Sequence, residues 1–436
     1  MSFKAEQQIS HNSTTPLAPF GLIGEKLSHS WSAEIHKKLG SFPYELHELS
    51  TLELKSFLKD QPWRGLNVTI PYKKEACALA DSASEDTRAI GAANTLVKDE
   101  NGYITADNTD VYGFEYLIKS LKIKLNQKKT VVFGAFGGAG QAICYALKKH
   151  GAYVVGVSRN SQVSSSFVDC TITYDLLKFH YDAALLVNAT PVGMSPHAGI
   201  SPLSKEELTS FTSLQYVIDL IYNPLRSQLL LDAESLGLLN VNGLKMLVAQ
   251  AAKASSLFLG QEVSDLEIEK ISQEIHASKE NIVLIGMPGV GKTSTGEALA
   301  KLLNRPWIDT DFLIKQKVHC TAATYLQTHG ETAFRSLEHE VIQEISSMTG
   351  VVISCGGGAV VTPSNYQLLR QNGKLVYLTR SLENLSIAGR PLSQSIGIQE
   401  LAEKRLPIYE AWANLTFPCL GSPDADAKGL LATVLK

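Results

Sequence analysis

Short apolar runs alternate along the chain with longer segments whose apolar positions recur at helical spacing. The first such pair is the strand-like GLIG at 21–24 and the helix-like AEIHKKLG at 33–40. Further pairs are VVFGAF with QAICYALKKHG at 131–136 and 141–151, and NIVLIG with TGEALAKLL at 281–286 and 295–303. This alternation predicts α/β units built on parallel sheets.

Two glycine-rich turns between a strand and a helix divide the chain into two parts. They lie at 134–140 and 286–293, and they are not repeats of one another. Between them, residues 263–280 have the pattern of an acidic amphipathic helix followed by a short polar joint. We place the domain boundary at 276–280 and expect neighbouring domains with restricted relative motion, because so short a joint is tight.

Composition restricts the class of protein. A length of 436 residues with 44% hydrophobic and 19% charged residues predicts two or three folded domains. The net charge of −3 is not the footprint of a nucleic-acid-binding protein. No stretch approaches the ~18 apolar residues of a membrane span, and the first 17 residues lack the apolar core of a signal peptide. The six cysteines form no CxxC pair, which favours free thiols in the cytoplasm.

The second glycine turn, GMPGVGKT at 286–293, fits the phosphate-loop pattern G-x-x-x-x-G-K-[ST]. Backbone N–H groups of such a loop surround phosphates, Lys292 reaches the terminal phosphates and Thr293 places its hydroxyl on Mg²⁺. Downstream, Asp309 and Asp311 stand two apart in a stretch with an extended pattern, which predicts both carboxylates on one face. The alternative is a solvated strand end.

Further elements follow in the order FR at 334–335, GGG at 356–358, RPL at 390–392 and Arg405. With the phosphate loop and the D-x-D, they make residues 281–436 resemble the shikimate kinase family. The resemblance implies that Asp311 orients and deprotonates the acceptor hydroxyl and that Asp309 supports the magnesium shell with Thr293. It also implies two sets of binding residues. Those for ATP are Gly286, Gly289, Gly291, Lys292, Thr293 and Arg390. Those for shikimate are Arg335, Gly356, Gly357, Gly358 and Arg405.

The lid of this part departs from the family pattern. Only 11 residues, 379–389, separate the strand VYL from RPL, and the arginine that would reach the transferring phosphates is not evident. A lid excludes water and completes the cluster of positive charge. We therefore expect Arg390 to supply most of the lid's charge, with Arg380 as the alternative.

In the N-terminal part, KLSHSWS at 26–32 places Ser28, His29, Ser30 and Ser32 between a strand and a helix. Helix capping accounts for one of these hydroxyls, and a cluster that binds a polyol or carboxylate would account for the others. Residues 65–76, GLNVTIPYKKEA, place Lys73 after an apolar strand and a proline turn. Taken alone, such a lysine is typical of a protein surface.

Together with VNATPVGM at 187–194, VIDLIYNPLRSQLL at 217–230 and NGLKMLVAQAA at 242–252, these elements resemble shikimate dehydrogenase over residues 18–275. The family's serine pair falls on Ser30 and Ser32, which would bind the carboxylate of a cyclohexene acid. Lys73 and Asp110 would flank the reacting C3 oxygen as catalytic groups. Ala33 stands where the family usually has proline. The remaining substrate contacts implied by the resemblance are Thr69, Asn94, Asp110, Tyr222 and Gln250.

The first glycine turn, GAFGGAG at 134–140, departs from the family's G-A-G-G-A as though Phe136 had been inserted. A strand precedes it and a helix follows, so its glycines can still approach a pyrophosphate closely. The next strand ends in Ser158, Arg159 and Asn160 without the acidic residue that binds a ribose 2′-hydroxyl, which favours NADP(H) over NAD. A solvated charge is the alternative for Arg159. The other expected cofactor contacts are Gly134, Gly137, Gly138, Gly140, Gly243 and Met246.

The expected fold class is α/β, in three parts. A substrate subdomain (18–110 plus 243–275) and a Rossmann-like NADP subdomain (111–242) form the dehydrogenase, and a P-loop kinase domain with a parallel sheet occupies 281–436.

The expected function is a bifunctional cytoplasmic enzyme. It would reduce 3-dehydroshikimate to shikimate with NADPH and phosphorylate shikimate with ATP and Mg²⁺. The expected partners are these small molecules, not nucleic acid or membrane, and an oligomer stays open. Two alternatives remain: a quinate/shikimate dehydrogenase using NAD with a weak kinase half, and a metabolite-sensing regulator built on the same folds.

The assignment of Arg159 generates a prediction about cofactor preference. Arg159→Ala should raise KM for NADPH by about ten- to hundredfold, because a charge-assisted contact to the 2′-phosphate contributes ~1.5–3 kcal/mol. The KM for NADH should change little. Steady-state kinetics with both cofactors measure the two effects, and an equal loss for both would contradict the assignment.

Overall fold

The structure is a computed structural model that describes residues 18–27, 30–385 and 397–434. The chain divides into two compact units. The first takes residues up to Leu117 together with Val248–Ile268, and the second takes Ile118–Leu247 together with residues from Glu269 onward. The units therefore do not coincide with the expected boundaries at 275 and 281, which stay a prediction. Within the described ranges, no helix has the length and apolarity needed to cross a bilayer.

The first unit contains a mixed six-stranded sheet in the order β2-β1-β3-β5-β6-β4. Its strands are β1 Phe20–Gly24, β2 Tyr44–Glu48, β3 Gly65–Val68, β4 Ser82–Ala83, β5 Thr95–Lys98 and β6 Ile104–Asp107. The helices that begin in this unit along the chain are α1 Ser32–Lys38, α2 Thr51–Asp60, α3 Lys73–Leu79, α4 Glu85–Ile90 and α5 Thr109–Ser120. The predicted strand at 21–24 and helix at 33–40 are confirmed.

The prediction of parallel pairing is wrong for part of this sheet. Strand β1 runs parallel to β2 and β3, whereas β5 runs antiparallel to β3 and β6. Strands β5 and β6 are joined by a tight turn in which the Asp99 carboxylate accepts hydrogen bonds from the N–H groups of Asn101 and Tyr103. So short a connection joins only antiparallel strands, because a parallel pair needs a crossover.

The helix α9, Leu244–Leu259, returns to this sheet with its C-terminal half. The Phe258 ring stacks on Phe20 at 5.4 Å between centroids. It lies so close to Gly65 that a Cβ there would come within 2.3 Å of the ring. This packing fixes α9 on the sheet, and one of its polar residues, Gln250, thereby reaches Asn94.

The second unit contains two sheets in which every strand pair is parallel. The first has the order β12-β11-β10-β7-β8-β9. Its strands are β7 Lys129–Phe133, β8 Tyr153–Val157, β9 Cys170–Ile172, β10 Leu185–Asn188, β11 Tyr216–Asp219 and β12 Leu239–Asn242. Its helices are α6 Gly138–Lys149, α7 Lys205–Thr209 and α8 Gln228–Ser235. The predicted strand–helix pair around 131–151 is confirmed.

The second sheet of this unit has the order β14-β15-β13-β16-β17. Its strands are β13 Asn281–Ile285, β14 Trp307–Asp309, β15 Val352–Ser354, β16 Gly373–Thr379 and β17 Leu415–Pro418. The helices along this part of the chain are α10 Asp265–Lys279, α11 Lys292–Leu303, α12 Thr310–Val318, α13 Ala322–Ile345, α14 Asn365–Arg370, α15 Ile398–Trp412 and α16 Pro423–Val434. The buried aliphatic residues of β13, β15 and β16 form its core.

The expected polar joint at 276–280 is absent from the fold, and that expectation is wrong. Helix α10 continues to Lys279, so only Glu280 separates it from β13. The Glu280 N–H donates to the carbonyl of His276 at 2.8 Å, and the two side chains approach to 3.7 Å. An i, i+4 contact of this kind extends the helix up to the strand.

Close packing at the first glycine turn generates a stability prediction. A Cβ on Gly140 would lie 2.0 Å from the carbonyl oxygen of Gly134, whereas one on Gly137 would lie at an ordinary 3.5 Å. Gly140→Ala should therefore lower the free energy of unfolding by about 2 kcal/mol or more, because the turn must move. The matched variant Gly137→Ala should cost less than about 1 kcal/mol. Denaturant unfolding of both variants checks this, and equal losses would contradict it.

Candidate active sites

The first candidate site, in the first unit, is built around an ion pair. Strand β3 ends at Val68, and a four-residue turn brings Lys73 to the start of α3. The Lys73 Nζ lies 2.6 Å from Oδ2 of Asp110, which stands in the first turn of α5. The Lys73 side chain is 14% exposed and that of Asp110 4%. The pair places an ammonium and a carboxylate side by side where water is largely excluded, an arrangement suited to proton transfer at a substrate oxygen.

Asn94 connects this ion pair to helix α9. Its Oδ1 accepts hydrogen bonds from the N–H and hydroxyl of Thr109 at 2.8 and 3.1 Å, and its Nδ2 donates to Oε1 of Gln250 at 3.0 Å. Because Thr109 precedes Asp110, the amide fixes the start of α5. The structure thus brings together Lys73, Asp110, Asn94 and Gln250, which are more than 150 residues apart along the chain at their extremes.

The described serines are not helix caps, so the capping interpretation is wrong for them. The residue before α1 is Trp31, and no side-chain hydrogen bond caps the helix. The Ser30 hydroxyl donates to that of Ser32 at 3.0 Å and accepts from the Ser32 N–H. Ser28 and His29 lie outside the described residues. Thr69, half-buried after β3, places its methyl carbon 2.6 Å from the position that a Cβ on Gly24 would take.

Two residues that the sequence analysis missed continue the polar network. The Tyr44 hydroxyl donates to Oδ1 of Asn67 at 2.8 Å, and Nδ2 of Asn67 donates to Oγ1 of Thr95 at 3.2 Å. Burial raises the pKa of Tyr44 well above its usual value, against the effect of a hydrogen bond with Ser32. The signal in the sequence is a polar residue at an inward position of the otherwise apolar strand GLNV.

The first glycine turn, in the second unit, keeps the geometry of a nucleotide loop despite Phe136. Gly134 has φ +75°, a conformation that favours glycine, and α6 begins at Gly138 directly after Gly137. The Phe136 ring lies against β8, where a Cβ on Gly156 would be 3.1 Å away. The additional side chain thus packs inward and leaves the glycine backbone at the helix N-terminus, the kind of position that suits an anion.

The end of β8 lies one strand away from this turn. Ser158 is half-buried, and Arg159 and Asn160 are exposed. The Ser158 hydroxyl accepts from the Asn160 N–H at 3.1 Å, which shapes the turn. Gly243 approaches Leu220 so closely that a Cβ would be 1.9 Å from its carbonyl oxygen, and Met246 is buried in α9 nearby in sequence. Burial raises the pKa of Tyr222.

The second candidate site is a cavity of about 490 Å³ at the phosphate loop. It collects the following predicted residues: Gly289, Gly291, Lys292, Thr293, Asp311, Arg335, Gly356, Gly357, Gly358 and Arg405. Gly286 begins the loop with φ +143°. Arg390 lies outside the described residues. The Lys292 Nζ donates to the carbonyls of Gly286 and Met287 at 2.8 and 3.0 Å, so the lysine spans the loop from the start of α11.

The two aspartates occupy different elements, so the expectation that both lie in one extended stretch is wrong. Asp309 ends the strand and caps α12: its Oδ1 accepts from the N–H groups of Asp311 and Phe312 at 3.0 and 3.1 Å. Asp311 is therefore helical. The Thr293 hydroxyl donates to Oδ2 of Asp309 at 2.8 Å, which joins the two predicted metal ligands. Among the described residues no group of three or more His, Cys, Asp or Glu could hold a metal ion by itself.

Glycines in the GGG element allow charged side chains to approach. A Cβ on Gly356 would be 2.7 Å from Oδ1 of Asp311, and one on Gly358 would be 2.2 Å from Nη1 of Arg335. The carbonyl of Gly357 accepts from Nη1 of Arg405 at 3.1 Å. Any larger residue at these positions would displace the charged groups that line the cavity.

Glu338 is a member of this site that the sequence analysis did not assign. Its Oε2 lies 2.7 Å from Nη1 of Arg335, three residues earlier on α13, and its side chain is 1% exposed. Burial raises the pKa of Glu338, while the charge of Arg335 acts to lower it. The acidic residue one turn after the arginine, in FRSLE, was the available signal. Glu338 holds the Arg335 guanidinium against the cavity wall.

Comparison with known proteins assigns families to both parts. The family model described as "Shikimate dehydrogenase substrate binding domain" matches residues 22–96, and that described as "Shikimate kinase" matches residues 288–434. The shikimate dehydrogenase (NADP(+)) of Clostridium perfringens is 36% identical over 271 residues, covering 59% of this chain and 97% of the relative.

Solved structures agree with the family assignment of the N-terminal part. A chorismate mutase/shikimate 5-dehydrogenase fusion protein from Clostridium acetobutylicum is similar with a TM-score of 0.54 and 35% identity, covering 59% of this chain and 96% of that one. Shikimate 5-dehydrogenase from Thermus thermophilus, in complex with NADP(H) and shikimate, has a TM-score of 0.52 and 32% identity, covering 58% and 98%.

The folds and sites define an α/β enzyme in which a Rossmann-like oxidoreductase precedes a P-loop phosphotransferase. The chain belongs to the shikimate dehydrogenase family over its N-terminal part, and its C-terminal part is a shikimate kinase domain. It is thus a bifunctional enzyme of the shikimate pathway, with oxidoreductase and kinase activities in one chain.

Proposed function

We propose that the N-terminal part reduces 3-dehydroshikimate to shikimate with NADPH and that the C-terminal part phosphorylates shikimate to shikimate 3-phosphate. The observation that carries the first activity is the ion pair of Lys73 and Asp110 at 2.6 Å. The second is supported by the cavity that joins the phosphate loop to Asp311 and Arg335. The product of the first reaction is the acceptor of the second, which gives the fusion a chemical rationale.

In the reductase, Lys73 protonates the C3 oxygen as the carbonyl becomes an alcohol. NADPH, when bound, supplies the hydride. Asp110 keeps the lysine ammonium in place and accepts a hydrogen bond from it, so positive charge is present where negative charge develops. Ser30 and Ser32 bind the substrate carboxylate, and Thr69, Asn94, Tyr222 and Gln250 bind the remainder of the ring. A pure metabolite sensor would not need the proton-transfer pair.

The glycine turn fits the pyrophosphate of NADPH. Gly134 adopts the turn with positive φ, and Gly137, Gly138 and Gly140 leave the start of α6 open to a close backbone approach. The exposed side chain of Arg159, with Ser158 and Asn160 beside it, binds the ribose 2′-phosphate, and Gly243 and Met246 contact the cofactor from the β12–α9 turn.

In the kinase, Asp311 accepts the proton of the shikimate hydroxyl, and Arg335 and Arg405 bind its carboxylate. ATP with Mg²⁺, when bound, supplies the phosphoryl group. Lys292 places its ammonium over the loop, and the oxygen atoms of Thr293 and Asp309 form a pair fit for Mg²⁺. Mg²⁺ retains waters and phosphate ligands, so a pair of protein oxygens suffices. The enzyme works in the cytoplasm, where its free thiols persist.

The decisive experiment follows both reactions in the full-length enzyme. Wild type with 3-dehydroshikimate, NADPH, ATP and Mg²⁺ should consume NADPH and form shikimate 3-phosphate. Lys73→Ala should lose reductase turnover, with a cost on the order of 3–5 kcal/mol of transition-state stabilisation, and keep the kinase activity. Asp311→Ala should do the reverse when shikimate is supplied.

The two variants serve as controls for each other, because each preserves one activity as a measure of folding. A Lys73→Ala enzyme with most of its reductase kcat would remove the proposed role of Lys73. A wild-type chain without kinase activity would favour the sensor interpretation for the C-terminal part.

Arg380 provides a second kinase prediction. It follows β16, lines the cavity of Lys292, and is held by the Cys419 carbonyl at 3.1 Å and by Asp426 at 3.6 Å. Its side chain is 28% exposed. Arg380→Ala should raise KM for ATP about tenfold, because a cation beside the bound phosphates is lost. Lys301→Ala, which removes an exposed ion pair with Glu297, should change KM less than twofold. Equal KM values in both variants would exclude Arg380 from ATP binding.

A further inference from the structure

The Tyr222 loop, residues 220–228, runs from the end of β11 to the first residue of α8 and is bound first to its own sheet. The Ile221 carbonyl accepts from the N–H of Gly243 at 3.1 Å, and the Leu225 carbonyl accepts from Nδ2 of Asn242 at 2.7 Å. The Ser227 hydroxyl donates to Asp219, whose pKa rises to about 6 through burial in spite of its hydrogen bonds. These contacts leave the N–H groups at the middle of the loop for another partner.

That partner is the kinase part of the chain. The N–H of Leu225 donates to Oδ1 of Asn372 at 2.9 Å, and the N–H of Arg226 donates to the carbonyl of Gln371 at 2.8 Å. Leu225, Gln371 and Asn372 are 1%, 4% and 1% exposed. Two consecutive backbone donors of the Tyr222 loop are thus satisfied, away from water, by the segment that connects α14 to β16. A buried N–H without its acceptor is costly, so this contact constrains the loop.

Asn372 is itself held by the kinase core. Its carbonyl accepts from the N–H of Asn281 at the start of β13, and its Nδ2 donates to the Ser346 carbonyl at 3.1 Å. The acceptor that faces Leu225 therefore has a fixed position. Through Asn372, the kinase sheet thereby restrains the position of the Tyr222 loop.

A half-buried charge pair strengthens the contact. The Arg226 Nη2 lies 2.7 Å from Oε1 of Glu280, and the two side chains are 20% and 12% exposed. Burial acts to raise the pKa of Glu280, but hydrogen bonds and charges of His276 and Arg226 outweigh it and hold the pKa at about 2. Nearby, Arg370 pairs with Glu234 of α8 at 2.7 Å. Removal of one partner of a largely buried pair leaves an uncompensated charge. These two ion pairs therefore favour one arrangement of the Tyr222 loop and α8 against the kinase part.

We infer that the kinase part positions the Tyr222 loop of the dehydrogenase, with Asn372 and Glu280 as positioning residues that touch no substrate of the reductase. The inference rests on the proposed function only for the role of Tyr222. The reductase activity of this chain then depends on residues of the kinase domain, and the kinase is a structural support for the first reaction as well as the catalyst of the second.

The test uses full-length variants and two readouts. Asn372→Ala and Glu280→Ala should each accelerate amide hydrogen exchange in residues 220–228 at least about tenfold, because the buried acceptor or counter-charge is lost. In the same variants, reductase kcat/KM for 3-dehydroshikimate should fall at least about fivefold, and kinase kcat/KM for shikimate should stay within about twofold. Glu280→Gln, which retains an acceptor for Arg226, should recover part of both effects.

The matched control is Glu340→Ala, which breaks an exposed ion pair with Lys317 in the same domain and should leave exchange and both activities unchanged. Exchange and reductase values equal to wild type in Asn372→Ala and Glu280→Ala would overturn the inference. A wild-type chain without reductase activity would instead contradict the proposed function, and the exchange rates would still decide whether the kinase holds the loop.

Discussion

Parallel strands bring their carboxyl ends to one edge of a sheet, and the chemistry of this enzyme depends on that constraint. The glycine turn follows β7, Ser158–Asn160 follows β8, the phosphate loop follows β13 and the GGG element follows β15. Each candidate ligand-binding group therefore follows a rigid strand within a few residues, as expected of ligand sites in α/β folds. The mixed sheet of the first unit uses the same device at β3, whose end leads to Lys73.

Close approach of backbone and side chains is the second requirement. Gly140 lets α6 approach the turn after β7, and Gly243 lets α9 start against the carbonyl of Leu220. In the kinase, Gly356 and Gly358 admit Asp311 and Arg335 at distances that a Cβ would prevent. The absence of a Cβ at these glycines thus permits the positions of the charged groups that line the cavity.

Two partly buried ion pairs have different surroundings, which suit them to different roles. Lys73 and Asp110 stand beside a network of amides and hydroxyls, so their charges are placed to meet a polar ligand. Arg226 and Glu280 stand between elements of the dehydrogenase and kinase parts, where their partners are backbone groups and other charges. We propose the first pair for chemistry and the second for specifying how two sheets dock, a role for which a largely buried charge pair is suited.

The sequence by itself determined the α/β elements and both glycine turns, because strand–helix periodicity and phosphate-binding turns are local properties. It also predicted candidate residues for the two sites, and the structure brings several of them together. Tertiary structure alone decided the antiparallel β5, the helical position of Asp311 and the roles of Tyr44, Asn67 and Glu338, since strand partners and burial depend on distant residues. It also decided the pairing of Asn372 with Leu225, because no local pattern in the sequence indicates a contact between two segments 147 residues apart.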